Sequence, residues 1–557
     1  MESELDEYPP LLRTLLENRG IFALEEAEVF LKPSYERDIH DPYMMKDMEK
    51  AVIRVFEAME DKEKIIIYGD YDCDGIPASV ILHDLFKKVG YENFEVYIPH
   101  RHTEGYGLHI DAINKFNDTG VKLIITVDLG ITAVPEVAHA EAFSIDVIVT
   151  DHHLPPVVLP RAYAILNPKQ NGDKYPCDML CGAGVAFKFA QAFVKKYGEY
   201  FSIPIGWEKW LLDMAGLGTM SDMVPLRGEN RVLAYYGLKV LRKNNRPGLR
   251  NLFKKNNIDM QYLTEEDVGF TLAPRINAAS RMDEPMRAFE LLSTEDEMSA
   301  MSLSNHLTSI NDDRKSLVLH IMKEVKKVIF ERAENNDVIV IGNPKWRAGV
   351  LGLVASKIVE EYKKPAFVWG SEGSDDIKGS CRSDGSVNIV EMMRETEEGV
   401  LIDFGGHEMA GGFSVSHEKI FFLEEHLNKS YQVSKKSQLE THTKRKYEAI
   451  FNLKDVNINT YELIEKLAPF GIDNPKPVFL FESITIAETK LFGKEKNHLE
   501  VIFKSQSTLV KAIKFFATRE SFGVHIKKDS IVNLLATLEL SRFAGKTELR
   551  LRIIDII

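Results

Sequence analysis

Four short stretches of this chain carry residue types that can do chemistry. They are Asp70-Tyr71-Asp72-Cys73-Asp74-Gly75, Asp128-Leu129-Gly130, Asp151-His152-His153 and a single Asp222. Three carboxylates at alternate positions repel one another unless cations neutralise them, and hard divalent metals choose oxygen ligands. One Asp-x-Asp by itself reads more readily as a solvated acidic turn, and one His-His as a structural pair. What sets these stretches apart is that each closes an apolar run: Ile65–Tyr68, Leu123–Val127, Val147–Thr150 and Leu211–Ser221. Carboxylates mixed with imidazoles suit Mn²⁺, with Mg²⁺ as a substitute. A carboxylate shared by two ions would hold them about 3.5–4 Å apart, the arrangement of two-metal phosphoryl chemistry.

Such groups act together only if the fold brings them to one place. From Lys64 the pattern alternates between strand and helix. Strands are predicted over Ile65–Tyr68, Phe94–Ile98, Leu123–Val127 and Asp146–Thr150, and helices over Pro77–Val89, Leu108–Phe116 and Val134–Ala142. Alternating units with apolar strands predict an α/β domain with a doubly wound parallel sheet. Parallel strands bring their C-terminal ends to one edge, where ligands bind. Helices over Val185–Tyr197 and Trp207–Gly216 extend the domain. Residues 1–45 read as a small helical lead-in, and Met48–Met59 as an amphipathic helix.

The second half of the chain changes character. Glu290–Glu334 has neither Gly nor Pro, and Leu303, Leu307, Ile310, Leu317, Ile321 and Val325 recur at helical spacing. One long helix or a pair is expected there, joining two lobes. Asp337–Gly342 opens a second α/β lobe. Within it, Gly349 and Gly352 stand at a helix start, an anion-friendly place. Ser380 and Arg382 offer a hydroxyl and a guanidinium, and His407 stands among Gly405, Gly406, Gly411 and Gly412. Each signal is weak alone, a plain glycine turn being the alternative. Ser430–Lys446 is polar and basic and reads as a linker. Short alternating segments follow, among them Thr508–Phe515, Ile531–Leu538 and Glu548–Ile554, as an all-β barrel requires.

The 557 residues predict several domains, about two to four. Four cysteines give no disulfide framework, and Cys177 and Cys181 find no second thiol pair for zinc, so a reducing, cytoplasmic setting fits. The acidic N-terminal stretch lacks the apolar segment of a signal peptide, and no run reaches membrane-span length. The net charge of −14 taken alone argues against nucleic-acid binding. It is uneven, however. Thr441–Ile557 holds 19 Lys and Arg against 14 Asp and Glu, a net of +5, which leaves −19 for the rest. The tail is the better candidate for touching a polyanion, and metals could offset acid elsewhere.

In the order Asp-Tyr-Asp-Cys-Asp-Gly, Val-Asp-Leu-Gly, Thr-Asp-His-His and Ser-Asp-Met-Val-Pro-Leu, the sequence resembles the DHH phosphoesterase superfamily. Within it, the bacterial RecJ family of single-strand-specific DNA exonucleases is most similar, over nearly the whole chain. The resemblance implies that Asp72, Asp74, Asp128, His152 and Asp222 are metal ligands, with Asp128 bridging. It implies that His153 faces the scissile phosphate and that Asp151 orients the imidazoles. Two positions depart from the family pattern. Many relatives carry His where Tyr68 stands, which points to a weaker first metal or to Asp70 as a further ligand. Leu129 replaces the usual Asn, which is not a required ligand. Ala273–Met282 resembles the family's fifth motif, implying phosphate contacts from Arg275 and Arg281 and polar positioning by Asn277, with Ser280 where Gly is usual. Asn311 and Arg314 look like part of the family's interlobe helix. The second lobe is similar to the DHHA1 substrate domain, in which Ser380, Arg382 and His407 would hold the nucleotide. Leu467–Pro477 is similar to the family's entry to an OB-like barrel. Such barrels bind single strands, with Phe492, Lys494, Lys511, Lys514, Phe516, Arg519 and Arg542 as candidates.

The implied organisation is a lead-in over 1–45, a DHH catalytic domain over 46–289, a helical connector over 290–334, a DHHA1 domain over 335–429 and an OB-like nucleic-acid-binding domain over 447–557. The implied activity is a 5′→3′ exonuclease that degrades single-stranded DNA to 5′-mononucleotides in repair and recombination, using two Mn²⁺ or Mg²⁺ ions. One rival is a DHH phosphodiesterase of short oligonucleotides or cyclic dinucleotides, against which the barrel argues. Another is an inactive single-strand-binding replication factor, against which the intact set of ligands argues. Single-strand-binding protein and a RecQ-like helicase are family-level partners. A cytoplasmic monomer with no membrane contact is expected.

Overall fold

The computed structural model describes residues 4–557 apart from 244, 333–335, 372–376, 436–446, 494, 507 and 544–545. Lys64–Gly69 forms strand β1 because its β-branched run can be buried on both sides. Ile65 and Ile67 enter one hydrophobic core, and Ile66 and Tyr68 enter another. The other strands of this sheet are β2 (Phe94–Tyr97), β3 (Val121–Val127), β4 (Asp146–Thr150) and β5 (Ala164–Leu166). All pair in parallel, in the order β2-β1-β3-β4-β5, with helices covering both faces as an all-parallel sheet requires. The sequence pattern does not single out β5, whose three residues are too few for a periodicity.

The helix Glu297–Glu331 is 35 residues long, hence about 52 Å at 1.5 Å per residue. It serves two cores in succession. Leu307 packs in the core of the first lobe, and Val318, Ile321, Met322 and Val325 pack in that of the second. The second lobe carries β6 (Ile339–Gly342), β7 (Ala366–Gly370), β8 (Ile377–Arg382), β9 (Asp403–His407) and β10 (Ala410–Val415), in the order β6-β7-β8-β10-β9. Only β6 and β7 are parallel; the rest is antiparallel.

The third sheet holds β11 (Ala449–Phe451), β12 (Phe479–Phe492), β13 (His498–Ser505), β14 (Thr508–Lys514), β15 (Ile531–Phe543) and β16 (Lys546–Ile556). Five of these close on themselves, since β12 pairs with both β13 and β15, which removes the edges an open sheet would expose. The polar stretch read as a linker begins as helix, because Leu423–Ser434 is helical, and its 436–446 part lies outside the described residues.

The N-terminal residues form helices over Pro10–Glu17, Leu24–Leu31 and Tyr35–Asp38, and the first two pack on the barrel. Leu5, Leu12, Leu15, Leu16, Ile21 and Phe30 share one core with the barrel. Arg19 fixes this contact from inside, donating to the Asn474 side chain at 2.8 Å and to Glu448 at 2.8 Å. Arg231 of the helix Gly228–Lys243 donates to the carbonyls of Phe30, Ala468 and Pro469, and its guanidinium lies 3.9 Å from the Phe30 ring centre. First lobe, N-terminal helices and barrel therefore meet at one buried joint. Among the described residues, no helix is long and apolar enough to cross a membrane.

Candidate active site

Strand register assembles an acidic edge. Gly69 of β1 pairs with Val127 of β3, and Val127 with Thr150 of β4, so the next residues, Asp70, Asp128 and Asp151, leave the sheet side by side. Their N–H groups still donate across the edge, Asp70 to the Val127 carbonyl at 3.2 Å, Asp128 to that of Thr150 at 2.9 Å and Asp151 to that of Leu166 at 3.0 Å. Asp128 has φ = 63°, a costly conformation for a non-glycine residue and one that gathers at functional sites. Gly182 leaves it room, since a Cβ there would lie 2.5 Å from the Asp128 Cβ.

The loop after Asp70 winds into the helix Gly75–Lys88. The Asp72 carboxylate accepts from the N–H groups of Asp74 at 2.8 Å and Gly75 at 3.1 Å. Asp74 turns the other way and accepts from Gly182 at 2.5 Å and Ala183 at 2.8 Å, at the positive end of the helix Gly182–Tyr197. Asp222 arrives differently from the others. The apolar run before it is a helix, Leu212–Ser221, and Asp222 is its C-terminal cap, not a residue following a strand. His152 joins the parts: its Nε2 lies 3.1 Å from Asp128 and 3.8 Å from Asp74, and its Nδ1 lies 3.8 Å from Asp222.

Three overlapping trios can each offer ligand atoms within 4.8 Å of one another: Asp70, Asp72 and Asp128; Asp74, His152 and Asp222; Asp128, His152 and His153. Asp70 Oδ1 and His152 Nδ1 are buried there without a hydrogen-bond partner. Burial, and then the neighbouring carboxylates, push Asp70 and Asp128 well above the usual carboxylate range, Asp74 to about 6 and Asp222 to about 8. Burial, and then the charge of His153, lower His152 to about 3, which leaves it neutral with a lone pair to give. Crowded carboxylates, orphaned acceptor atoms and a neutral imidazole fit a hard or borderline divalent cation.

Asp151 does not point into the cage. It accepts from the N–H of Ile131 at 2.9 Å and of His152 at 2.7 Å, and from Nδ1 of His153 at 2.7 Å. Burial opposes a charge on His153, but Asp151 outweighs it and raises the imidazole to about 9. The His153 ring lies parallel to that of His407 from the other lobe, centres 6.2 Å apart. Both line an 830 Å³ cavity between the lobes with Tyr71, Tyr106, Lys378 and Phe404.

A cationic group adjoins this edge. Arg281 sits on the helix Ala273–Met282, donates to the Gly349 carbonyl at 2.9 Å, and has a buried Nε without a partner. Burial and then Arg101, Arg314 and Arg382 lower it to about 9, with Asp72 the opposing neighbour. Arg275 and Arg314 also carry partnerless Nε atoms, and Asn311 is fully buried with neither amide atom bonded. Arg275 donates to the Thr271 carbonyl at 2.7 Å. Asn277 turns to the acidic loop, its Oδ1 accepting from the Cys73 N–H at 2.9 Å. Arg382 and Ser380 lie against Gly352, where a Cβ would be 2.9 Å from the guanidinium and 3.6 Å from the hydroxyl.

Tyr68 takes no part. It is buried against Tyr97 and Phe116, and its hydroxyl donates to the Gly107 carbonyl at 3.1 Å, so it offers no ligand atom where many relatives carry His, while Asp70 stands in a ligand trio. Sequence reasoning missed Arg101 and Tyr106, which come from the loop after β2. The basic run His100-Arg101-His102 directly after a strand end was the available signal. In the barrel, most of the proposed contact residues are engaged within the chain. Lys511 pairs with Glu548 at 2.8 Å, Lys514 donates to Ile554, Arg519 donates to Thr489, and Arg542 stacks 4.0 Å from the ring centre of Tyr262. Phe516 is exposed, Phe492 stacks edge-on with Phe515, and Lys494 lies outside the described residues.

Comparison with known proteins finds three family matches along the chain. Residues 64–219 match the DHH family, N-terminal domain; 335–432 match the DHHA1 domain; and 447–555 match the RecJ OB domain. The single-stranded-DNA-specific exonuclease RecJ of Bacillus subtilis is 35% identical over 550 residues, 98% of this chain and 68% of the relative. The same-named protein of Haemophilus influenzae is 31% identical over 564 residues, 97% of this chain and 95% of the relative. The crystal structure of RecJ from Thermus thermophilus in complex with Mn²⁺ superposes with a TM-score of 0.79 at 25% identity, covering 99% of this chain and 76% of that one. Its complex with Mg²⁺ gives 0.74 at the same identity, covering 99% of this chain and 75% of that one.

Proposed function

This chain belongs to the RecJ family of DHH proteins, and from that premise we propose that it is a metal-dependent exonuclease acting on single-stranded DNA. One observation carries the reading. Aspartates from register-matched strand ends share a cage with a neutral imidazole and adjoin a group of arginines with unmet donors. Crowded acid calls for cations and crowded arginine for phosphate, and a phosphodiester bound to divalent metals satisfies both.

Asp72, Asp74, Asp128, His152 and Asp222 would hold two Mn²⁺ or Mg²⁺ ions, with Asp128 shared and Asp70 as a further ligand of its trio. Such ions supply Lewis-acid polarisation of the phosphate and a nucleophilic water at neutral pH. His153 keeps one proton on Nδ1 against Asp151, which leaves Nε2–H as a donor to a phosphate oxygen. Arg281 and Arg382 bind phosphate oxygens, Arg275 is a further contact, and Ser380 and His407 complete the cradle from the second lobe. Asn277 acts through the loop, holding Cys73 and so the flanking Asp72 and Asp74 in place.

The finer reading is 5′→3′ polarity with release of 5′-mononucleotides in repair and recombination. Its functional divisions are the DHH domain 46–289, connector 290–334, DHHA1 domain 335–429 and nucleic-acid-binding barrel 447–557. A cytoplasmic monomer that works with single-strand-binding protein and a RecQ-like helicase completes it. The test uses single-stranded DNA labelled at either end, with duplex as control, in Mn²⁺ and then in EDTA. Stepwise loss from the 5′ end of single strands only, abolished by EDTA, is expected. Internal cuts, loss from the 3′ end, or cleavage of dinucleotides alone would contradict it.

A further inference from the structure

The helix Gly75–Lys88 begins beside the acidic edge and ends at the opposite edge of the sheet. There Lys87 and Lys88 border a cleft of 740 Å³ together with Trp207 and Trp210. The Lys88 ammonium lies 5.8 Å from the Trp207 ring centre, and that of Lys243 lies 5.2 Å from the Trp210 ring centre. Trp210 is 43% exposed, unusual for so large an apolar side chain with nothing covering it. The floor of the cleft is already satisfied, since Arg246 pairs with Asp84 at 2.8 Å and with Asp213 at 2.6 Å. The charge left for a ligand is on the rim. Among the described residues, Lys87, Lys88, Lys243 and Lys254 form no ion pair.

The cleft is not isolated. Lys243, whose ammonium reaches the Trp210 ring, lines a neighbouring groove with Lys254, and Ile258 and Asp259 of that groove also line a cleft shared by Tyr262 and by Phe492 and Phe515 of the barrel. We infer that this groove is a second contact surface for single-stranded nucleic acid, holding the part of a long strand farthest from the reacting end. Bases stack on Trp210 while Lys88, Lys243 and Lys254 track the backbone, the combination that single-strand binders use. The inference rests on the single-strand reading above. An acidic peptide would also meet lysines beside an indole, but the spread of cations along a groove continuous with the barrel favours a polyanionic strand. The joint itself is the acidic part of the route, with Glu265, Glu266 and Glu465 beside Lys476 and Arg542, so affinity comes from the barrel and the outer groove.

The test is binding without hydrolysis. Fluorescence anisotropy in EDTA compares the full chain with Trp210→Ala, Trp210→Phe and Lys243→Ala on oligothymidylates of about 5 nucleotides, the low end of what one barrel covers, and of about 40 nucleotides. Trp210→Ala is expected to weaken the long strand about tenfold and leave the short one unchanged, with Trp210→Phe retaining most of the affinity. Lys243→Ala should lower the salt slope for the long strand by about one. Unchanged affinity for the long strand, or equal losses at both lengths, would overturn the inference. Binding of an Asp/Glu-rich peptide that Trp210→Ala abolishes while DNA affinity stays intact would assign the cleft to a protein partner instead. Failure of the unsubstituted chain to bind either strand overturns the single-strand reading itself, a result visible before any variant is made.

Discussion

The interlobe cleft and the barrel use the same charged residue types in opposite ways. In the barrel, Arg550 and Arg552 both reach Glu539, and Lys511 reaches Glu548, so these charges have their partners in the chain. In the cleft, Asp70 Oδ1, His152 Nδ1 and the Nε atoms of Arg275, Arg281 and Arg314 are buried with none. Buried polar groups are normally satisfied, because leaving one bare costs about 1–3 kcal/mol. The cleft therefore holds stability in reserve for ligands of opposite charge, whereas these barrel pairs and the joint's arginines use theirs to stay folded. Substitutions should divide accordingly: those in the cleft should remove activity without destabilising the chain, and those at the joint should do the reverse.

The largest effect is expected at Asp128. Asp128→Ala should lower the rate on single-stranded DNA roughly 10³-fold, on the scale of losing a central electrostatic element. The thermal midpoint should hold or rise, since one crowded carboxylate is gone. A parallel fall in rate and midpoint would erase the contrast between the regions. Next is Arg382→Ala, with about a 10²-fold loss of kcat/KM. Arg382→Lys should recover little of it, because an ammonium cannot reproduce a two-pronged phosphate contact. Steady-state kinetics on a short oligonucleotide reads both.

At the joint the signs reverse. Arg231→Ala empties a buried site with three carbonyl acceptors and should cost about 3 kcal/mol in denaturant unfolding. Cleavage of short oligonucleotides by the folded fraction should be unchanged. The smallest effect is a pH dependence. Burial, with Glu465 adding to it, raises Glu265 to about 7. Between its ordinary value of about 4.5 and about 7, the folded chain keeps a proton that the unfolded chain has lost. Stability should therefore fall as pH rises through that window and level off above it. Glu265→Gln should flatten this slope in melts at pH values across the window, and an unchanged slope would assign the titration to another group.

How much of this was legible before the structure depended on how local the signal was. Asp70, Asp128 and Asp151 could be read because each directly follows an apolar strand, and parallel strands share an edge. Asp222 was legible from the run before it, but that run is the helix Leu212–Ser221, overlapping the helix expected over Trp207–Gly216, so Asp222 reaches the edge as a helix cap and not from a strand end. Arg101 and Tyr106 sit in a loop, where no periodicity exists to mark them. Tyr68 stays out of the site, as a poor ligand should, because strand alternation, followed residue by residue, sends it to the core face with Ile66. The union of the N-terminal helices with the barrel was out of reach, since Arg19 meets Glu448 and Asn474 across more than 400 positions of chain. No local pattern encodes a contact of that kind.

The central claim is that the acidic edge is completed by cations. Calorimetric titration of Mn²⁺ into the metal-free chain, beside Asp128→Ala, tests it most directly. The account predicts two ions bound per chain, with proton release because Asp74 and Asp222 are raised to about 6 and about 8, and loss of binding in the variant. No saturable binding, or a titration that the variant leaves unchanged, would contradict it.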